Sequence, residues 1–129
     1  MNEYRKITPK IAENIVKILG NESLVIYKDK ENLSSYSNDE SGGEYYAHLP
    51  DVVVKPETKE QISNIVKLAN DENIPITPRG AGSGLAGGAI PMLGGIVISL
   101  ERMNKVLEID TENLVAVVEP GVVTNDLCR

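Results

Sequence analysis

Residues 78–95, PRGAGSGLAGGAIPMLGG, hold seven of the chain's eleven glycines and two of its seven prolines. A segment with so few side chains is built for close approach of its main chain to something else. Consecutive N–H groups in a tight glycine loop can form a concave nest for an anion without a helix behind it. Glycine at Gly80, Gly82 and Gly84 removes the Cβ atoms that would hold a diphosphate away, and Ser83 can add a hydroxyl donor. Arg79 sets a cation at the mouth of the loop, although it can equally pair with a carboxylate such as Glu119. A surface loop that binds nothing is the competing reading. Against it, Ala81, Leu85, Ala86, Ala89, Ile90, Met92 and Leu93 are more apolar than the Ser- and Asn-rich composition of a flexible linker.

Two other phosphate chemistries fit the segment less well. The Walker A pattern needs Lys and then Ser or Thr after its last glycine, and Gly88 and Ala89 stand there after Gly82–Gly87. Gly82, Gly84 and Gly87 do satisfy the dinucleotide-binding GxGxxG, with Glu101 downstream at about the expected distance. The residues from Gly88 to Gly95 include Pro91 and two glycines, and are too few for the helix that such a fingerprint opens.

The elements that must carry this loop are legible around it. Thr8 caps and Pro9 opens a helix with Ile11, Ile15, Ile18 and Leu19 on one face, which Gly20 ends. LVIY at 24–27 suits a short strand, and one helical turn is expected around Leu33–Tyr36 in an otherwise polar stretch. VVV at 52–54, closed by Pro56, reads as a buried parallel strand. A helix follows, with a Thr58/Gln61 capping box, a buried face of Ile62, Ile65, Val66 and Ala69, and a stop at Asn73–Pro75. ITPR at 76–79 completes a β-α-β unit with an expected right-handed crossover, and GIVISL at 95–100 is another buried strand. VLEID at 106–110 and LVAVVEP at 114–120 flank Thr111–Asn113 as an antiparallel hairpin, so the sheet type changes there. Thr124 can cap a further helix, but only five residues remain after it; the 129 residues are therefore expected to be part of something longer.

The fold class expected is α/β (α+β): a small parallel β-α-β subdomain with flanking helices, then the start of a second subdomain with an antiparallel hairpin. Phe and Trp are absent, so the core must be aliphatic. A net charge of −6 and no basic run argue against a nucleic-acid partner. Cys128 is the single cysteine, which excludes an internal disulfide and fits a reducing, cytoplasmic setting. No stretch approaches the roughly 18 apolar residues of a membrane span. His48 lacks partners, Asp39, Glu40 and Glu44 read as solvated charges, and metal binding has no support. Ser99 lacks the context of a nucleophile, and Arg102 and Lys105 can form exposed ion pairs with Glu101 and Glu108.

The order DVVVKP, then TKEQISNIVKLANDENIPITPRGAGSGLAGG, then GGIVISLERMNKVLEID and AVVEPGV, resembles the FAD-binding domain of the vanillyl-alcohol oxidase/p-cresol methylhydroxylase flavoproteins, within them the D-lactate dehydrogenase and glycolate oxidase D-subunit group. The likeness runs from about Tyr36 to Arg129, leaving 1–35 as an N-terminal helical and extended segment, and 36–129 as the first portion of a two-subdomain FAD-binding domain truncated at 129. The resemblance implies that Arg79, Gly80, Ala81, Gly82, Ser83 and Gly84 wrap the FAD pyrophosphate, with Pro78, Leu85 and Gly88 flanking the cofactor. It also implies that Val53 and Val54 lie near the adenine, and that Pro120 and Gly121 approach from the second subdomain. Some relatives attach FAD through a loop His; Ser83 stands in that region here, so the flavin is expected to be non-covalent. Catalytic and metal-binding residues would lie beyond Arg129, and the isolated chain is expected to bind FAD weakly or not at all.

The leading functional expectation is an FAD-dependent oxidoreductase that takes a hydride from the α-carbon of a small D-2-hydroxy acid and yields the 2-oxo acid. An electron acceptor, with an electron-transfer subunit as a further partner, is implied for the full-length protein. The alternatives are a flavin-free scaffold module and, less well supported, an NAD-binding Rossmann protein.

Overall fold

The computed structural model describes residues 6–36, 49–80 and 94–122. Helix α1 (Pro9–Leu19) begins where the Thr8 hydroxyl accepts the Ile11 N–H at 3.2 Å and ends at Gly20 in a left-handed conformation, φ 73°. A 3-10 turn (Glu22–Leu24) leads into β1 (Val25–Tyr27). Helix α2 spans Lys30–Ser34, starting earlier than the turn expected at Leu33–Tyr36, because the Asp29 carboxylate caps it by accepting the Asn32 N–H at 3.3 Å. Tyr36 lies just past its end.

Strand β2 (Val52–Val54) is followed by helix α3 (Lys59–Glu72), opened by the capping box and closed by Asn73 at φ 56°. Its inward face is narrower than the sequence suggested: Ile65 and Ala69 are buried and Leu68 packs on the core, but Val66 is 44% exposed. Val66 sits 100° round the helix from Ile65, which turns it away from the sheet.

Strands β3 (Ile76–Arg79) and β4 (Ile96–Ser99) complete a four-stranded sheet of order β1-β2-β4-β3, in which β1 is antiparallel and the rest parallel. The expected β-α-β unit therefore has a strand inserted: β4 lies between β2 and β3 and pairs with both. One sheet face, with Val52, Val54, Ile96 and Ile98, packs under Ile11, Ile15 and Leu19 of α1 and Ile65 and Ala69 of α3. The other packs Val53 and Val97 beneath Leu33 of α2, with Ile26 and Tyr36 beside them. Cover on both faces explains why VVV and IVI are unbroken apolar runs. Edge strand β3 tolerates Pro78 because its outer side needs no N–H for pairing.

Strands β5 (Val106–Asp110) and β6 (Val115–Val118) form the hairpin, with a register shift between Val106 and Glu108. The second arm starts one residue later than expected, since Leu114 takes a left-handed φ of 56° and belongs to the turn. Asp110 organises that turn by accepting the Glu112 and Asn113 N–H groups, both at 3.1 Å.

Candidate functional site: the carboxyl ends of three strands

Open parallel sheets bind ligands beyond the carboxyl ends of their strands. Here that edge carries Lys55 after β2, Arg79 and Gly80 at the end of β3, and Ser99 at the end of β4. Arg79 pairs directly with Ser99, and Val54 pairs with Ile98, so the register brings Lys55 to the other side of Ser99. Two cations thus flank one hydroxyl on the sheet face that also carries Val53 and Val97. A hollow of about 270 Å³ lined by Ser35, Tyr36, Arg79, Gly80, Ser99 and Glu101 opens there.

Glu101 ties the edge together. Its carboxylate accepts the Tyr36 hydroxyl and, at 2.9 Å, the Ser99 hydroxyl, and it faces the Lys55 ammonium at 3.9 Å. Partial burial pushes this carboxyl up, but the hydrogen bonds from Tyr36 and Ser99 and the charges of Lys55 and Arg102 outweigh it and hold the group below the ordinary glutamate value. Burial first, and then the Glu101 carboxylate, push the Tyr36 hydroxyl up to about 12. The Tyr36 ring has the Arg79 guanidinium carbon 5.6 Å from its centre and the Lys55 ammonium 5.9 Å from it.

Among the expected site residues, Arg79 and Gly80 line the hollow, and a Cβ at Gly80 would point into open space. Val53 and Val54 are wholly buried, so their side chains pack in the core, and they fix the strand that leads into Lys55. Pro78 is exposed on the edge strand. Gly121 has a reason to be glycine within the protein: a Cβ there would lie 1.9 Å from the Leu100 carbonyl oxygen, and its N–H donates to the Met103 oxygen at 2.7 Å. Pro120 precedes it on the surface. Ala81, Gly82, Ser83, Gly84, Leu85 and Gly88 lie outside the described residues, as do His48, Asp39, Glu40, Glu44 and Cys128.

Two of the seven glycines in the segment are likewise explained by packing. Gly94 and Gly95 take φ of 71° and 74°, and a Cβ on Gly95 would lie 2.3 Å from the Pro75 oxygen. The Gly95 N–H donates to Asp51 Oδ2 at 2.9 Å, which pins the entry to β4. Because β3 and β4 are parallel neighbours, the ends of the glycine segment lie at opposite ends of the sheet. The chain from β3 to β4 is thus a parallel connection, spanned by residues 80–95 as a whole. The expectation of no helix across Gly87–Gly95 lies outside the described residues except at Gly94 and Gly95, which are not helical.

Sequence reasoning did not assemble Lys55, Tyr36, Ser99 and Glu101. Alternation along VVVK and IVIS does put Lys55 and Ser99 on one face once the register is known, whereas nothing local links Tyr36 to Glu101, 65 residues on. Glu101 takes Lys55 rather than a neighbouring cation as its ion-pair partner. Glu119, the alternative offered for Arg79, accepts the Lys105 N–H at 3.0 Å. Among the described residues no cluster of potential metal ligands occurs, and no helix is long and apolar enough to cross a membrane.

A mixed, mostly parallel sheet with Lys55, Arg79 and Gly80 at its carboxyl edge defines a domain suited to a phosphate-bearing cofactor. The FAD binding domain family matches residues 50–129, and the chain belongs to it; its cofactor is FAD. It is similar to glycolate oxidase subunit GlcD of Bacillus subtilis (strain 168), 37% identical over 123 residues, covering 95% of this chain and 25% of that protein. D-lactate dehydrogenase of Anaerostipes hadrus is 39% identical over 127 residues, covering 98% and 26%. Among solved structures, p-cresol methylhydroxylase with substrate bound superposes with a TM-score of 0.77 at 32% identity, covering 92% of this chain and 23% of that one. The chain thus spans about a quarter of the length of these relatives.

Proposed function

We propose that this chain is the cofactor-cradling part of an FAD-dependent oxidoreductase that converts a small D-2-hydroxy acid, of the lactate or glycolate type, to the 2-oxo acid. The observation that carries the reading is where the glycine segment starts: at the carboxyl end of β3, on Gly80 with an open Cβ direction, in a row with Arg79, Ser99 and Lys55. FAD, when bound, supplies the hydride acceptor. The chain's own residues bind and orient: main-chain N–H groups of Gly80–Gly84 for the diphosphate, Ser83 as an added donor, and Arg79 as the cation at the mouth. Pro78, Leu85 and Gly88 flank the cofactor, and Pro120–Gly121 bound it from the hairpin side. Residues 1–35 form the leading segment, and 36–129 the first portion of the FAD-binding domain. The flavin is held without a covalent bond, since Ser83 stands where some relatives carry His. The protein works in the cytoplasm and passes electrons to a separate acceptor or electron-transfer subunit.

Purification of the complete gene product tests this. It should show flavin absorption, release FAD on acid precipitation, and bleach when D-lactate or glycolate is added without oxygen. Protein that is colourless and cannot be reconstituted with FAD would leave the scaffold alternative; a flavin that neither acid bleaches would remove the hydroxy-acid assignment alone.

A further inference from the structure

We infer that Tyr36 is a latched gate: its ring divides one cleft along the carboxyl edge of the sheet into two hollows, and its hydrogen bond to Glu101 is the latch. The hollow of about 270 Å³ beside Arg79 and Gly80 has a larger neighbour of about 470 Å³, whose walls include Ser23, Asn32 and Lys55. Ser35 and Tyr36 line both. The ring centre lies 5.9 Å from the Lys55 ammonium, which borders the larger hollow, and 5.6 Å from the Arg79 guanidinium carbon, which borders the smaller. The side chain is held at its two ends. The Tyr36 N–H donates to the Leu33 oxygen at 3.0 Å, which fixes its backbone to the last turn of α2, and its hydroxyl donates to Glu101, itself braced by Ser99, 1% exposed. The polarity of the latch is set: Glu101 stays a carboxylate and the Tyr36 hydroxyl keeps its proton across the neutral range, so the first accepts and the second donates. Between the fixed ends are two side-chain torsions. With the hydroxyl released, a turn about the first carries the ring off the Val53–Val97 cluster and joins the hollows. The joined space, from Ser23 to Gly80, falls within the size range of small-molecule sites, and Lys55 and Arg79 then border one ligand. The gate stands on the sheet edge whatever ligand that edge takes, so it does not depend on the flavin reading.

The test is thiol labelling of the complete gene product, read by peptide mass spectrometry, at two adjacent residues on opposite faces of β2. Val53 and Val54 are both 0% exposed, but Val53 lies in the cluster that Tyr36 packs against, and Val54 in the one under α1 and α3. Where closing outpaces labelling, the rate follows the open population. In Val53→Cys, the substitutions Tyr36→Phe, which keeps the ring and loses the latch, and Glu101→Ala should each speed labelling about two- to ten-fold, the range of one net hydrogen bond. The two together should do no more than Glu101→Ala alone, because they break the same bond. In Val54→Cys neither should change the rate. If Val53→Cys does not fold, Val97→Cys takes its place, with Ile98→Cys as its control on the other face. Unchanged rates at position 53, equal acceleration at 53 and 54, or additive effects of the two substitutions would overturn the gate. None of these outcomes bears on flavin binding, which the visible absorption of the same protein reports.

Discussion

The four-stranded sheet and the hairpin are built from the same residue types and end up in opposite surroundings. Every side chain of β2 and β4 is buried, whereas in the hairpin Leu107 is 62% exposed, Ile109 63% and Leu114 90%. The difference lies in what covers them. Helices α1 and α3 close one face of the sheet and α2 with Tyr36 the other, while the hairpin's Val, Leu and Ile side chains meet no such layer among the described residues. Apolar side chains state a demand for cover; whether it is met depends on partners distant in the chain.

The contrast is sharpest under truncation. Ile65→Ala, which empties a site at 0% exposure, should cost about 2–5 kcal/mol in urea unfolding of the 129-residue chain, while Ile109→Ala should stay within about 0.5 kcal/mol. Similar losses at both sites would mean that the hairpin is covered in solution. Gly121→Ala strikes the junction between the two regions. With the Leu100 oxygen in the way of its Cβ, it should cost about 1–3 kcal/mol and speed hydrogen exchange of the Gly121 amide. Thr58→Ala, removing the cap of α3, should cost about 1 kcal/mol by the same unfolding measurement.

Smallest is the effect of pH on the strand edge. Glu101 titrates below the ordinary 4.5 in the folded chain, so its contribution is complete above that value and fades as pH falls through the depressed one. The urea midpoint difference between wild type and Glu101→Gln should therefore shrink on acidification. Tyr36 has the opposite sign. Its hydroxyl is raised from 10.0 to about 12, so its contribution is complete below 10.0 and is lost as pH climbs toward 12. An ultraviolet titration should find the Tyr36 hydroxyl titrating late, and less late in Glu101→Gln, where burial still raises it but the carboxylate no longer does.

Much of this was written locally. The caps at Thr8 and Thr58, the stops at Gly20 and Asn73, and the apolar runs of β2 and β4 each depend on a few neighbouring residues, and all stand in the structure. The insertion of β4 between β2 and β3 could not be read that way, because strand order is settled by packing across the whole sheet. The site divides along the same line. Arg79 and Gly80 announced themselves through composition, whereas Tyr36 and Glu101 meet only after α2 and the sheet have packed. Glycine content also has a packing share that composition does not separate out: Gly94 and Gly95 fit against Asp51 and Pro75.

The close seat of Gly121 has one more effect. Its amide is bonded to Met103 and its α-carbon rests on Leu100, the two residues that bracket Glu101 and Arg102, and Lys105 and Glu119 are stitched together just beyond. These are main-chain links with little slack, so tilting the hairpin tugs on the short turn bearing the Glu101 carboxylate. The base of the hairpin and the turn that carries Glu101 are thus one tied unit, a few residues from the rim that holds Lys55 and Arg79.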